Sequence, residues 1–189
     1  MKHSAVFLDR DGVINNAIIK NGRPYPPYSL DELSIAADVH DALCHLKSAG
    51  FLLIGVTNQP DVARGITAKT TVEEINAALI KKLPIDEIRV CYHDDQDQCL
   101  CRKPLPGLLM EAAEKYNIDF KKSVMIGDRW RDIEAGQRFG CKTIWLRNDY
   151  QEKKPANYDF IATSLSEASK WILKVYDPKF GSCNRSEKG

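Results

Sequence analysis

The sequence predicts one α/β domain, with a parallel sheet covered by helices on both faces. Two observations predict it. Short unbroken apolar runs alternate with segments whose apolar residues fall at helical spacing, the pattern of right-handed β–α–β crossovers. The runs also lack the apolar–polar alternation of a strand with one wet face, so both of their faces should be covered. A length of 189 residues suits a single domain with a sizeable core.

The elements follow in chain order. Ala5-Val6-Phe7-Leu8 is a buried strand ending at Asp9. Residues 15–33 are too few for a second domain and read as a long loop, stiffened by Gly22-Arg23-Pro24-Tyr25-Pro26-Pro27. Asp38 to Ala49 sets Val39, Leu43 and Leu46 at helical spacing, with Gly50 as a C-terminal stop. Residues 51–56 form a strand that runs into Thr57-Asn58. Thr70 caps a helix that ends before Pro84. Residues 87–91 are a strand, and Pro106 to Tyr116 a helix with proline near its first turn. Residues 123–127 are a strand reaching Asp128, and Arg131 to Phe139 a helix stopped by Gly140. Two further strands, 142–146 and 158–162, precede a closing helix over 164–175. The domain therefore spans residues 1–176, and the polar stretch 177–189 is expected to be a disordered tail.

Bulk composition narrows the partners. Lys and Arg number 27 against 26 Asp and Glu, a net charge of +1, which gives no basic excess for nucleic acid. No stretch approaches the roughly 20 apolar residues of a membrane helix, and the N-terminus has no signal-peptide pattern. The expectation is a monomeric cytoplasmic protein with no nucleic-acid or membrane partner. In that compartment the six cysteines are not a disulfide framework.

Ligands of open α/β sheets bind beyond the carboxyl ends of the strands. Four segments place polar residues there: Asp9-Arg10-Asp11-Gly12, Thr57-Asn58, Arg102-Lys103-Pro104, and Gly127-Asp128 with Asp132. One aspartate at a strand end is more often a turn residue or helix cap than a catalyst. Three carboxylates converging on one lysine and one threonine suit phosphate ester chemistry. Asp9 and Asp128 offer hard oxygen ligands to Mg²⁺, which offsets the repulsion between a carboxylate nucleophile and an anionic phosphate. Thr57 and Lys103 can hold the other phosphoryl oxygens. Asp9 would attack phosphorus. Asp11, two residues on in extended chain, would point the same way and serve as general acid and base.

A second cluster is metal-like. Cys91-x-His93 is followed by Cys99-x-Cys101, four soft ligands within eleven positions. Three thiolates and one imidazole make a closed tetrahedral Zn²⁺ set without an open catalytic position. It would be structural, stapling the loop that delivers Arg102 and Lys103.

Asp9-x-Asp11-Gly12, Thr57-Asn58, Lys103-Pro104 and Gly127-Asp128-x-x-x-Asp132 together resemble the four ordered motifs of the haloacid dehalogenase superfamily of phosphatases. The resemblance covers roughly residues 4 to 165. It implies a Rossmann-like three-layer domain, an aspartyl-phosphate intermediate, catalytic Mg²⁺, and a metal ligand in the Asp11 carbonyl; no cap-sized insertion follows the first motif or separates the second and third, so no cap domain is expected. The cysteine loop followed by Cys101-Arg102-Lys103-Pro104, with Val56-Thr57-Asn58-Gln59 and Ala63-Arg64-Gly65, resembles the heptose-bisphosphate and histidinol-phosphate phosphatases. That implies a small phosphorylated sugar as substrate, a heptose precursor of lipopolysaccharide, recognised through Asn58, Gln59 and Arg102. The chain departs from that group in two places. Arg129 stands where lysine is usual, and a longer loop bearing Tyr25 replaces a short Gly-Tyr substrate loop. Histidinol phosphate, a polynucleotide 3′-phosphate, and a non-enzymatic zinc-stabilised binding module are the rival readings.

Overall fold

The computed structural model describes residues 2–176. The expected tail over 177–189 lies outside them. Among the described residues, eight strands and five α-helices follow in order: β1 (Ala5–Leu8), β2 (Ile18–Lys20), β3 (Arg23–Tyr25), α1 (Val39–Ser48), β4 (Leu52–Asn58), α2 (Lys69–Lys82), β5 (Glu87–Cys91), α3 (Gly107–Tyr116), β6 (Val124–Gly127), α4 (Trp130–Phe139), β7 (Lys142–Leu146), β8 (Phe160–Ala162) and α5 (Leu165–Tyr176).

Six strands pair in the order β5-β4-β1-β6-β7-β8, all in parallel. The apolar runs are the reason. Every residue of β1 and β6 is buried, because helices cover both faces. Successive side chains of β1 enter opposite layers. Val6 and Leu8 pack with α1, α2 and α5, whereas Ala5 and Phe7 pack with α3 and α4. The connections run from β1 outward to β4 and β5, then return to β6, β7 and β8 on the other side. That reversal opens a crevice beside the carboxyl end of β1.

Two expectations need correction. Residues 15–33 are not simply a loop: β2 and β3 pair as an antiparallel hairpin, with Lys20 opposite Arg23 and Ile18 opposite Tyr25. Pro24 fits because this ribbon has free edges that need no donor from it. Thr70 does not cap α2 either. The helix begins one residue earlier, after Ala68, with no side-chain cap. The other boundaries agree to within a residue or two, and Gly50 and Gly140 take the left-handed conformations (φ +87° and +86°) expected of helix stops.

Candidate active site

Three neighbouring strands deliver the site. Asp9 follows β1, Thr57 and Asn58 end β4, and Asp128 follows β6. The Asp9 amide still donates to the Ile126 carbonyl at 3.0 Å, so the sheet holds its backbone. The chain then turns: the Arg10 carbonyl accepts from the amides of Ile14 (2.9 Å) and Asn15 (3.0 Å). Asp9 and Asp11 therefore reach one cleft through a turn, not through the extended chain assumed from sequence. Gly12 sits in that turn at φ +96°, and a β-carbon there would lie 1.9 Å from Asp128 Oδ2. Only glycine lets the Asp128 carboxylate approach so closely. The Asp11 carboxylate is fixed by the fully buried Arg10 guanidinium, by Asn15 Nδ2 and by Gln59 Nε2.

At the centre, Lys103 Nζ donates to Asp9 Oδ1 (2.7 Å) and the Val56 carbonyl (2.7 Å) and lies 2.6 Å from Asp132 Oδ1. Burial disfavours its ammonium, but Asp132 and Asp9 outweigh this and the net shift is upward. Asp9 is pushed up to about 6, mostly by burial and then by Asp132, with Lys103 opposing. Burial also drives Asp128 well above the usual carboxylate range, reinforced by Asp9 and Asp132. The Asn58 side chain grips the backbone of Lys103, accepting from its N–H (3.1 Å) and donating to its carbonyl (3.0 Å). Gln59 Nε2 bridges Thr57 Oγ1 and Asp11 Oδ2. Thr57 and Asn58 line the cleft; Gln59 stands behind them, 1% exposed.

The charge balance fits a divalent cation. One carboxylate oxygen each from Asp9, Asp128 and Asp132 lie within 4.8 Å of one another, all three residues buried. Asp128 Oδ1 is buried with no hydrogen-bond partner among the described residues. Three crowded carboxylates exceed the single positive charge of Lys103, and hard oxygen donors suit Mg²⁺. Asp132 also accepts from the Arg129 amide at 3.0 Å, which caps α4.

The cysteine cluster closes on itself. Cys101 Sγ is 3.2 Å from Cys91 Sγ and 3.4 Å from Cys99 Sγ, and Cys91 and Cys99 are 3.6 Å apart. His93 Nδ1 lies 3.7 Å from Cys91 and 3.4 Å from Cys101. Zinc–sulfur bonds of about 2.3 Å span ligand separations of about 3.8 Å in a tetrahedron, close to these edges. The four residues could hold zinc. Cys101 leads directly into Arg102 and Lys103, as the spacing suggests.

The cleft measures ≈ 550 Å³, the size of a small-molecule site. One wall is the hairpin, with Arg23, Pro24 and Tyr25. The lining also carries Arg64, Arg102, Arg129 and Arg131. Those four are held by acids: Arg64 by Asp94 and Asp61, Arg102 and Arg131 by Asp95, and Arg129 by Glu152 in a two-bond pair. Arg23 has no such carboxylate partner among the described residues. Trp130 lies outside the lining, with the Arg131 guanidinium 4.9 Å and the Lys153 ammonium 4.5 Å from its ring centroid. Sequence reasoning missed Arg23, Tyr150 and Glu152. Tyr150 donates to Asp128 Oδ2 at 2.7 Å; its sole signal is a position just past the carboxyl end of β7.

Comparison with known proteins points the same way. Residues 100–168 match a family model described as HAD-hydrolase-like. The chain is 36% identical over 187 residues to the D-glycero-beta-D-manno-heptose-1,7-bisphosphate 7-phosphatase of Yersinia pestis, covering 91% of this chain and 96% of that protein. It is 31% identical over 163 residues to the D-glycero-alpha-D-manno-heptose-1,7-bisphosphate 7-phosphatase of Campylobacter jejuni, covering 84% and 89%. A crystal structure of D,D-heptose 1,7-bisphosphate phosphatase from B. bronchiseptica, complexed with magnesium and phosphate, superposes with a TM-score of 0.77 at 27% identity, covering 91% of this chain and 99% of that one.

Proposed function

The chain belongs to the HAD-like phosphatases, which makes it a phosphoric monoester hydrolase, and from that premise we propose that it removes the 7-phosphate of D-glycero-D-manno-heptose 1,7-bisphosphate. The observation that carries the reading is the buried cluster of Asp9, Lys103 and Asp132, with Asp11 and Asp128 beside it, at the base of an arginine-walled cleft.

The steps follow from the side chains. Asp9 attacks phosphorus and the bond to the sugar oxygen breaks, giving an aspartyl phosphate. Asp11 donates a proton to the departing oxygen, then takes one from the water that releases phosphate. Arg10 and Gln59 hold its carboxylate in place for both transfers. Lys103 and the Thr57 hydroxyl hold phosphoryl oxygens. Asp9, Asp128 and the Asp11 carbonyl would hold Mg²⁺, which supplies charge neutralisation between the nucleophile and the phosphate. Asn58 acts through Lys103, whose backbone it grips, and Gln59 acts through Asp11 and Thr57. Arg102, Arg129 and Tyr25 face the sugar and its second phosphate. Cys91, His93, Cys99 and Cys101 bind structural zinc. On this reading the enzyme works as a monomer in the cytoplasm, in the supply of heptose for lipopolysaccharide; no helix among the described residues is long and apolar enough to cross a membrane.

The test is a panel of phosphorylated substrates with Mg²⁺: both anomers of the heptose bisphosphate, heptose 7-phosphate, and histidinol phosphate. The bisphosphate should give the highest kcat/KM, with loss of the 7-phosphate. Equal rates on histidinol phosphate would overturn the substrate assignment while leaving the reaction class standing.

A further inference from the structure

Three consecutive residues beyond β7 each fasten a different part of the site. The Tyr150 phenol donates to Asp128 Oδ2 at 2.7 Å. The Gln151 amide donates to the Gly22 carbonyl, in the turn of the β2–β3 hairpin, at 2.8 Å. The Glu152 carboxylate accepts from Arg129 Nε (2.8 Å) and Nη2 (2.7 Å). The segment is thus held on both sides of Gln151, and it spans from the acidic cluster to the hairpin wall of the cleft. Tyr150 is also seated against the first turn, since a β-carbon on Gly12 would come within 2.9 Å of its hydroxyl.

We propose that Tyr150 is a positioning residue for the magnesium site, and that the strap of residues 150–152 ties that site to the substrate hairpin. A carboxylate free to rotate can offer a cation either oxygen. Tyr150 occupies Oδ2 and leaves Asp128 Oδ1, buried and without a donor among the described residues, as the oxygen presented to the metal. A hydrogen bond to the non-ligating oxygen orients the ligand before the cation arrives, so less order is lost on binding. Glu152 and Gln151 keep the phenol from swinging away, and through Gly22 they couple its position to Arg23 and Tyr25. The inference rests on the reading of Asp128 as a magnesium ligand.

Calorimetric titration of the zinc-loaded chain with MgCl₂, without substrate, tests it. Tyr150→Phe should weaken Mg²⁺ binding about tenfold, the lower end of what losing a partner of a metal ligand costs. Its hydrolysis should be recovered by raising magnesium in the same proportion. Glu152→Ala, which frees one end of the strap, should weaken binding in the same direction by a smaller factor. Zinc content and a cooperative melt confirm that each variant folds. A parent that binds Mg²⁺ while Tyr150→Phe binds it equally tightly would overturn the role of Tyr150. Unchanged affinity in Glu152→Ala would overturn the strap, and does so even if Tyr150→Phe does not fold. A parent that binds no Mg²⁺ would remove the reading of Asp128 beneath both.

Discussion

Lys103 donates to Asp9 Oδ1 at 2.7 Å across 94 residues of sequence, and the same ammonium sits 2.6 Å from Asp132 Oδ1. Its side chain is 2% exposed, so its charge is screened by two carboxylates and very little water. The cluster both fixes the Asp9 carboxylate and stores a surplus of negative charge.

Removing the lysine therefore costs stability as well as rate. Lys103→Met leaves Asp9 and Asp132 buried without their cation, a loss of about 3–5 kcal/mol in magnesium-free urea unfolding. Added Mg²⁺ should restore part of it, because a second cation can neutralise the same carboxylates. Hydrolysis should fall by about 10²–10³ even where the variant is folded. Unfolding at the parent's urea concentration would show that Lys103 does not compensate the acids.

Zinc held by Cys91, His93, Cys99 and Cys101 would act on the reaction only through the loop it closes. Cys101→Ser should lower bound zinc and reduce hydrolysis, because Cys101 leads directly into Arg102 and Lys103. Chelation of the parent should do the same, with recovery on adding zinc and none on adding magnesium alone. Metal analysis paired with the rate checks this, and a zinc-free chain at full rate would refute it.

Arg23 is the cleft arginine without a carboxylate partner among the described residues, whereas Arg64, Arg102, Arg129 and Arg131 are each engaged. Nearby Lys20 is taken up over the rings of Tyr25 (5.9 Å) and Tyr28 (5.6 Å). A second phosphate on the substrate would find Arg23 uncommitted. Arg23→Ala should lower the ratio of kcat/KM for the bisphosphate over the 7-phosphate about tenfold, the loss of one charge-assisted contact. Arg23→Lys should keep part of it. An unchanged ratio would exclude Arg23 from recognition.

Much of this was legible in the sequence, and the reasons differ from residue to residue. Ala5 to Leu8 announced a strand because burial on both faces demands an unbroken apolar run. Asp9, Lys103 and Asp128 were legible because each lies at or just beyond the carboxyl end of a strand or on the loop leading back from one. The Cys91, His93, Cys99 and Cys101 cluster was legible because four metal-type donors rarely fall within eleven positions by chance. The β2–β3 hairpin was not, since strands of three residues, one of them carrying a proline, leave almost no periodic signal. Tyr150, Gln151 and Glu152 were not either: their partners Asp128, Gly22 and Arg129 lie 22, 129 and 23 residues away, and nothing in local spacing marks such contacts. Asn58 was legible as a site residue, but its two bonds to the Lys103 backbone appear only in three dimensions.

An Asp9 that attacks phosphorus can be caught with the phosphoryl group still attached. The enzyme is quenched in acid during turnover of radiolabelled heptose bisphosphate with Mg²⁺, digested, and the labelled peptide sequenced. Label should appear on the peptide that contains Asp9, be lost on treatment with hydroxylamine as an acyl phosphate is, and be absent from Asp9→Asn, which should fold and retain zinc yet hydrolyse at background. Label on another residue, or hydrolysis by Asp9→Asn at the parent rate, would contradict attack by Asp9.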